Sequence, residues 1–359
     1  MPSRSQTNAK AASLRAGFEA AGATAVEPPI LQPADTLLDL YGEDIRARAY
    51  VTSDALRGEQ MLRPDFTVPV VQMHMAHGAD PARYTYAGEV FRRQEHDPTR
   101  ANEYVQVGYE VFERDDPAAS DAEVFALINA GLGGLPVRAV TGDIGVLMAL
   151  VNGLNTSDLR KRALMRHIWR PRRFRALLEQ FAGRTPVSAA RHALLTGDVT
   201  CDAPLVGARR QHEIDARIAA LKTDADVPPI AAKDVDLIEA LLGICAPMPV
   251  ALERLHDLSV DLPAIIPAVA RVDARKTALA TRGIDVDTLV FEASYGRSSM
   301  EYYDGFVFGF RATDRADLPP LATGGRYDAL TRRLGGGREI PAVGGVMRPG
   351  VMLDLEGKP

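Results

Sequence analysis

The chain has 359 residues, 46% hydrophobic and 25% charged, with 47 acidic against 42 basic side chains and a formal net charge of −5. That length holds about two domains, or one large core carrying an insertion. The apolar fraction excludes a disordered chain, and the acidic balance argues against a protein whose task is to coat nucleic acid. Of the basic residues 36 are arginine and six lysine, which we read as genome composition rather than function.

Two cysteines, Cys201 and Cys245, are too few for a disulfide framework or a four-cysteine zinc site, and both are expected as buried free thiols. The N-terminal stretch lacks the apolar heart of a signal peptide, and no run reaches the roughly 18–20 apolar residues of a membrane span. The expectation is a soluble cytoplasmic protein with no membrane partner.

In chain order, Leu14, Phe18 and Ala21 mark an opening helix over residues 8–21. Pro28 and Pro29 break the chain before an amphipathic stretch around Leu37, Leu38 and Leu40. Strands are predicted at 49–52 and 61–63, with a turn at 58–60 and a helical period after Pro64. Residues 84–112 read as a long strand, a polar loop and a long return strand. In the return, Val105, Val107, Tyr109 and Val111 share one face and Gln106, Gly108 and Glu110 the other. Two polar groups flanking a glycine suggest a floor for a small ligand. A helix at 121–130 and a strand at 136–140 follow. Residues 157–270 carry Ala, Leu and Arg at helical spacing without strand alternation, and strand signals return at 289–292, 306–310 and 341–343.

Several motifs then occur in order. Leu62 to Thr67 reads LRPDFT, Phe91-Arg92 opens a second element, Gln106 to Glu110 reads QVGYE, and Gly324 to Leu330 reads GGRYDAL. Together these resemble histidyl-tRNA synthetase, in its LRPEGT, motif 2, QxGxE and GGRYDGL elements. The resemblance implies an α+β fold: a class II aminoacyl-tRNA synthetase-like core, a mostly antiparallel sheet flanked by helices. We divide it as core at 1–155, helical insertion at 156–275 and core again at 276–359. It implies a histidine-binding set of Asp65, Thr67, Arg92, Gln106 and Glu110, with Tyr302 and Tyr303 near the imidazole, and Gly324, Gly325 and Arg326 as further candidates. Asp65 and Glu110 suit an ammonium or imidazolium, Gln106 donates and accepts, and Arg92 suits a carboxylate.

Departures from the synthetase pattern bear on activity. Where the family reads Arg-Gly-Leu-Asp-Tyr-Tyr, this chain reads Ser298-Ser299-Met300-Glu301-Tyr302-Tyr303. Arg297 is one residue away and, on a strand, would face the opposite side. The family's last motif 3 arginine is matched by Val351, and Pro349-Gly350 would spoil the following helix. Gln94 and Glu95 stand for the Glu and Arg of motif 2, and Asp65-Phe66 for Glu-Gly. Adenylyl transfer needs positioned cations around phosphates, and two or three of them are missing. The chain ends eight residues after Val351, so no anticodon-binding domain of at least about 50 residues is expected.

A synthetase core that keeps its amino-acid groups and lacks its phosphate arginines resembles the regulatory subunits of ATP phosphoribosyltransferase. The resemblance implies a non-catalytic dimer, without cofactor or tRNA, that assembles with a short-form catalytic subunit and confers feedback inhibition by L-histidine in histidine biosynthesis. The alternatives are an aminoacylating histidyl-tRNA synthetase-like enzyme and a relic scaffold. Blander readings stand elsewhere. His74 and His77 lack a third metal ligand, so no metal is expected. The basic stretch at Arg160, Lys161, Arg162, Arg166, Arg170, Arg172, Arg173 and Arg175 reads as a solvated or protein-contact face ahead of a tRNA face. Gly335, Gly336 and Gly337 form a turn, and Asp328 is a natural ion-pair partner for Arg326.

Overall fold

A computed structural model describes residues 2–41, 45–94, 100–197, 204, 206–297 and 302–357. Ser298, Ser299, Met300, Glu301, Glu95 and Cys201, weighed above, lie outside the described residues.

The elements run α1 (Arg4–Ala20), β1 (Thr24–Ala25), β2 (Leu31–Pro33), α2 (Ala34–Tyr41), α3 (Ile45–Arg48), β3 (Val51–Asp54), β4 (Gly58–Leu62), α4 (Thr67–His77), β5 (Ala82–Phe91) and β6 (Glu103–Phe112). They continue with α5 (Pro117–Gly131), β7 (Val137–Asp143), α6 (Ile144–Gly153), α7 (Asp158–Arg166), α8 (Pro171–Phe181), α9 (Ala189–Thr196), α10 (Gln211–Ala225) and α11 (Ala232–Leu242). The last group is β8 (Cys245–Pro247), α12 (Met248–Asp261), α13 (Ile266–Thr281), β9 (Val290–Glu292), β10 (Phe306–Ala312), β11 (Ala322–Arg326), α14 (Asp328–Leu334), β12 (Ala342–Met347) and α15 (Pro349–Glu356).

Local chemistry sets the element ends. Ser3 and Gln6 form a reciprocal capping box at α1, whose buried stripe is Ala11, Leu14 and Phe18. Asp116 accepts from Ala119 N ahead of Pro117 in the first turn of α5. Pro349 opens α15 at its first turn, where a missing N–H costs nothing and the fixed φ suits a helix. The expectation that Pro349 spoils this helix is therefore corrected.

Nine strands form one sheet in the order β1-β5-β6-β12-β11-β10-β7-β9-β8. Pairing is antiparallel except for β1 with β5 and β7 with β9, so the expected mostly antiparallel sheet is present. A separate sheet, β2-β4-β3, flanks it. One face of the large sheet packs on helices. Phe125 of α5 lies 5.3 Å from Phe308 and 5.1 Å from Phe310 of β10, and Phe18 of α1 lies 5.3 Å from Tyr109 of β6. The opposite face of β6 carries Gln106, Gly108 and Glu110, as the alternation predicts.

The long segment read as helical contains α7 to α13, and also β8, which pairs antiparallel with β9 at the sheet edge. A three-residue strand is too short for alternation to reveal. Cys245 begins it and is exposed, which corrects the buried thiol expected there. Arg275 of α13 is buried between Asp121 of α5 at 2.7 Å and Asp143 at 2.9 Å. Arg160, in the basic stretch, turns inward to Asp224 at 2.7 Å, while Arg162, Arg166, Arg172, Arg173 and Arg175 are exposed. Gly336 and Gly337 hold φ of +62° and +97° in the predicted turn. Among the described residues, no helix is long and apolar enough to cross a membrane.

Candidate ligand cavity

Part of the sheet's other face opens into a cavity of about 930 Å³, within the roughly 300–1,000 Å³ usual for small-molecule sites. Strand β6 supplies Gln106, the loop before α4 supplies Asp65, the first residue of α4 is Thr67, and the end of the β5 hairpin arm supplies Arg92. Tyr302 and Tyr303 form a wall and Gly324 part of the floor. A Cβ at Gly324 would stand 2.4 Å from Gly344 O, so only glycine lets β11 and β12 pack there.

Gln106 is fully buried, and neither its amide oxygen nor its amide nitrogen has a hydrogen-bond partner among the described residues. Such a group costs about 1–3 kcal/mol when left unsatisfied, and a ligand's polar atoms would satisfy it. Asp65 is buried as well, with Oδ1 accepting from Val68 N at 3.2 Å in the first turn of α4. Arg92 lines the cavity and donates through Nε to Pro64 O at 2.7 Å.

Glu110 stands differently. It does not line the cavity, and its carboxylate accepts from Tyr86 Oη at 2.8 Å, Thr67 Oγ1 at 3.1 Å and Tyr327 Oη at 2.5 Å. Burial pushes the carboxyl up to about 7, the three hydroxyls pull it down, and nearby Asp65 adds to the rise. The Tyr86 ring also fills the gap over Gly108, where a Cβ would stand 2.2 Å from Oη. That gap is therefore closed by the protein itself, which corrects the reading of Gly108 as ligand floor. Phe66 stacks on Tyr86 at 4.2 Å, with Arg63 over its other side at 3.9 Å.

Two lower candidates lie off the cavity. Gly325 packs under the Tyr303 ring. Arg326 is buried and bound to Asp121 at 2.7 Å and to Asp328 at 3.1 Å, the second being the ion pair anticipated. Arg297 sits in a turn, not on a strand, and points away to Ile168 O. His74 stacks on Phe112 at 3.9 Å and meets Tyr84 Oη, while His77 is exposed.

Sequence reasoning passed over Arg348. At the β12–α15 junction it lines the cavity, donating to Pro320 O at 2.7 Å and Thr323 Oγ1 at 3.3 Å. Burial lowers its pKa, Tyr104 raises it, and the charge of Arg92 lowers it again. A cation written one residue past a strand was the available signal.

The sequence profile of the family described as histidyl-tRNA synthetase matches residues 2–349. Among curated proteins, the ATP phosphoribosyltransferase regulatory subunit of Brucella ovis is 32% identical over 355 residues, spanning 92% of this chain and 93% of the relative. That of Brucella abortus is also 32% identical, spanning 92% of both. The chain belongs to the ATP phosphoribosyltransferase regulatory subunit family. Among solved structures, one from Bacillus halodurans described as an ATP phosphoribosyltransferase regulatory subunit/histidyl-tRNA synthetase superposes with a TM-score of 0.71 at 20% identity, covering 100% of this chain and 81% of that one. Histidyl-tRNA synthetase from Nostoc superposes with a TM-score of 0.65 at 17% identity, covering 97% of this chain and 70% of the other. The class II synthetase-like core is thus the fold of this family member, and its cavity is lined by Gln106 on the face of β6 turned away from α1. Val351, at the position the motif 3 comparison singled out, lines the cavity as an apolar side chain.

Proposed function

We propose that this chain is the non-catalytic regulatory subunit of an ATP phosphoribosyltransferase, binding L-histidine in the cavity and conferring feedback inhibition on a short-form catalytic subunit in the cytoplasm. The observation that carries this reading is Gln106: a buried amide with no partner among the described residues, in one cavity with Asp65, Arg92 and two tyrosines. Histidine brings an ammonium for Asp65, a carboxylate for Arg92, and an aromatic ring for Tyr302 and Tyr303, with Gln106 free to bond any polar atom. Thr67 lines the cavity and donates to Glu110, which stands behind the contact set with Tyr86 and Tyr327, and Gly324 keeps the floor low. The kinship with proteins named as regulatory subunits supports the partnership, and the apolar Val351 supports the loss of adenylation. The subunit pairs with itself through the core and uses neither cofactor nor tRNA.

Feedback requires histidine to bind one state of the complex more tightly than another. The test is co-purification with a short-form ATP phosphoribosyltransferase, followed by a histidine inhibition curve. Wild type should confer inhibition and Gln106→Leu should abolish it. Histidine-dependent ATP–pyrophosphate exchange by the chain alone would overturn the reading in favour of the aminoacylating enzyme.

A further inference from the structure

The cavity wall and the helices of the middle segment are tied at one joint. Helix α7 ends at Arg166 and α8 begins at Pro171, and two adjacent residues between them reach the wall. The buried Ile168 carbonyl accepts from Arg297 Nε at 2.8 Å, and Trp169 Nε1 donates to Tyr303 O at 3.2 Å. The Arg297 guanidinium also lies 4.8 Å from the Phe174 ring centroid in α8.

Both wall residues sit beside the ligand space. Tyr295 and Gly296 line the cavity just before Arg297, and Tyr303 lines it directly. The turn has no slack against the sheet. Gly296 holds φ of +83°, and a Cβ there would stand 2.9 Å from Val307 Cγ2; a Cβ at Gly309 would stand 1.9 Å from Tyr295 Oη. Close-packed contacts of this kind pass on displacement instead of absorbing it. On the helical side, Arg160 of α7 binds Asp224 Oδ1 at 2.7 Å, Asp224 O at 2.8 Å and Pro228 O at 2.9 Å, which fastens α7 to α10 and the chain after it.

We propose that occupancy of the cavity is relayed to the α7–α8–α10 helices through Ile168 and Trp169, with Arg297 and Trp169 as positioning residues. The relay rests on the histidine reading of the cavity and names the element through which that ligand's presence leaves the site. A ligand that packs on Tyr303 and on Tyr295 and Gly296 bears on the Tyr303 carbonyl and on the turn at Arg297, and both bonds meet neighbouring residues of one joint. The physical requirement is a difference in wall position between the filled and empty cavity. Trp169 is the sole tryptophan of the chain, so the relay carries its own reporter.

L-histidine titrated into the full-length chain should change Trp169 emission saturably, with a midpoint equal to the calorimetric Kd. Arg297→Met, which keeps the stem and loses the bond to Ile168, should hold that Kd within about twofold yet lose most of the emission change. In the complex with the catalytic subunit it should weaken histidine inhibition about fivefold or more, the low end of measured couplings. Arg297→Lys, which retains a donor, should restore the emission change. Histidine heat without an emission change, or a wild-type emission change in Arg297→Met, overturns the relay. No histidine heat in the wild type overturns the ligand reading instead. Should Arg297→Met fail to fold, amide exchange of the wild type decides: histidine should slow exchange over residues 167–175, and unaltered exchange there overturns the relay.

Discussion

Tyr327 donates its hydroxyl to Glu110 across 2.5 Å, from a β11–α14 junction to a strand two positions away in the sheet. With Tyr86 and Thr67 it surrounds a buried carboxylate by hydroxyls alone among the described residues, so the acid behind the cavity is held by neutral donors. Tyr327→Phe removes one of these. A hydrogen bond to a charged group contributes about 1.5–3 kcal/mol, and chemical denaturation of the variant should show a loss in that range.

The same carboxylate sets a pH dependence. Its folded-state value of about 7 lies above the ordinary 4.5, so between those values the folded chain holds a proton that the unfolded chain has released. Stability from this group is therefore fully present below about pH 4.5 and falls as pH rises through 7, a difference of about 3 kcal/mol. Asp304, pushed up to about 7 by burial and by Asp328, acts in the same window. Glu110→Gln isolates one of the two. Relative to wild type, the variant should gain up to about 3 kcal/mol between about pH 5 and about pH 8, read from denaturation midpoints. A constant difference across that interval would contradict the assignment.

Gln106 should trade stability against binding. Gln106→Leu replaces a buried amide that has no partner among the described residues by an apolar group of similar size, and should leave stability unchanged or raise it by about 1 kcal/mol. Calorimetry on the same protein should show no histidine heat. A variant both unstable and ligand-free would mark Gln106 as a structural residue.

The buried arginines of the sheet behave oppositely. Arg275 and Arg326 share Asp121, all three side chains being almost wholly enclosed. Asp121→Ala takes one of two carboxylates from each guanidinium, leaving Arg275 with Asp143 and Arg326 with Asp328, and should cost up to about 3–5 kcal/mol in urea unfolding. Histidine affinity of the fraction that folds should stay near wild type, because none of these groups lines the cavity.

At Gly344 a Cβ would stand 1.4 Å from Glu110 Oε2. Gly344→Ala should therefore fail to fold or lose more than about 3 kcal/mol, beyond ordinary overpacking. Adding Glu110→Ala should recover part of the loss, a non-additivity that a double-mutant cycle measures directly.

Much of this architecture is legible along the chain, and its gaps have physical reasons. The hairpin of β5 and β6 follows from alternation, because Val107, Tyr109 and Val111 must enter the core while Gln106 and Glu110 cannot share their face. What alternation leaves open is who occupies the space above a residue. The gap over Gly108 is filled by Tyr86 from the paired strand, and Glu110 is enclosed by hydroxyls from three other elements. Arg348 is aimed by Pro320 and Thr323, which lie far from it in sequence. Cys245 sits in apolar company along the chain, yet its edge strand leaves it in water. The ordered motifs reveal the family because they are short and local, whereas the line between contact and support runs through tertiary packing.

The column Arg63, Phe66, Tyr86, Glu110 and Tyr327 has a consequence for how such a protein can change. Arg63 hooks the Pro28 carbonyl at one end, and Tyr327 opens α14 at the other. Side chains that share one carboxylate and one stack cannot be exchanged singly without stranding a neighbour. Substitutions here are expected to travel as sets, so a transplant of the cavity into a related scaffold must carry the whole column or lose it.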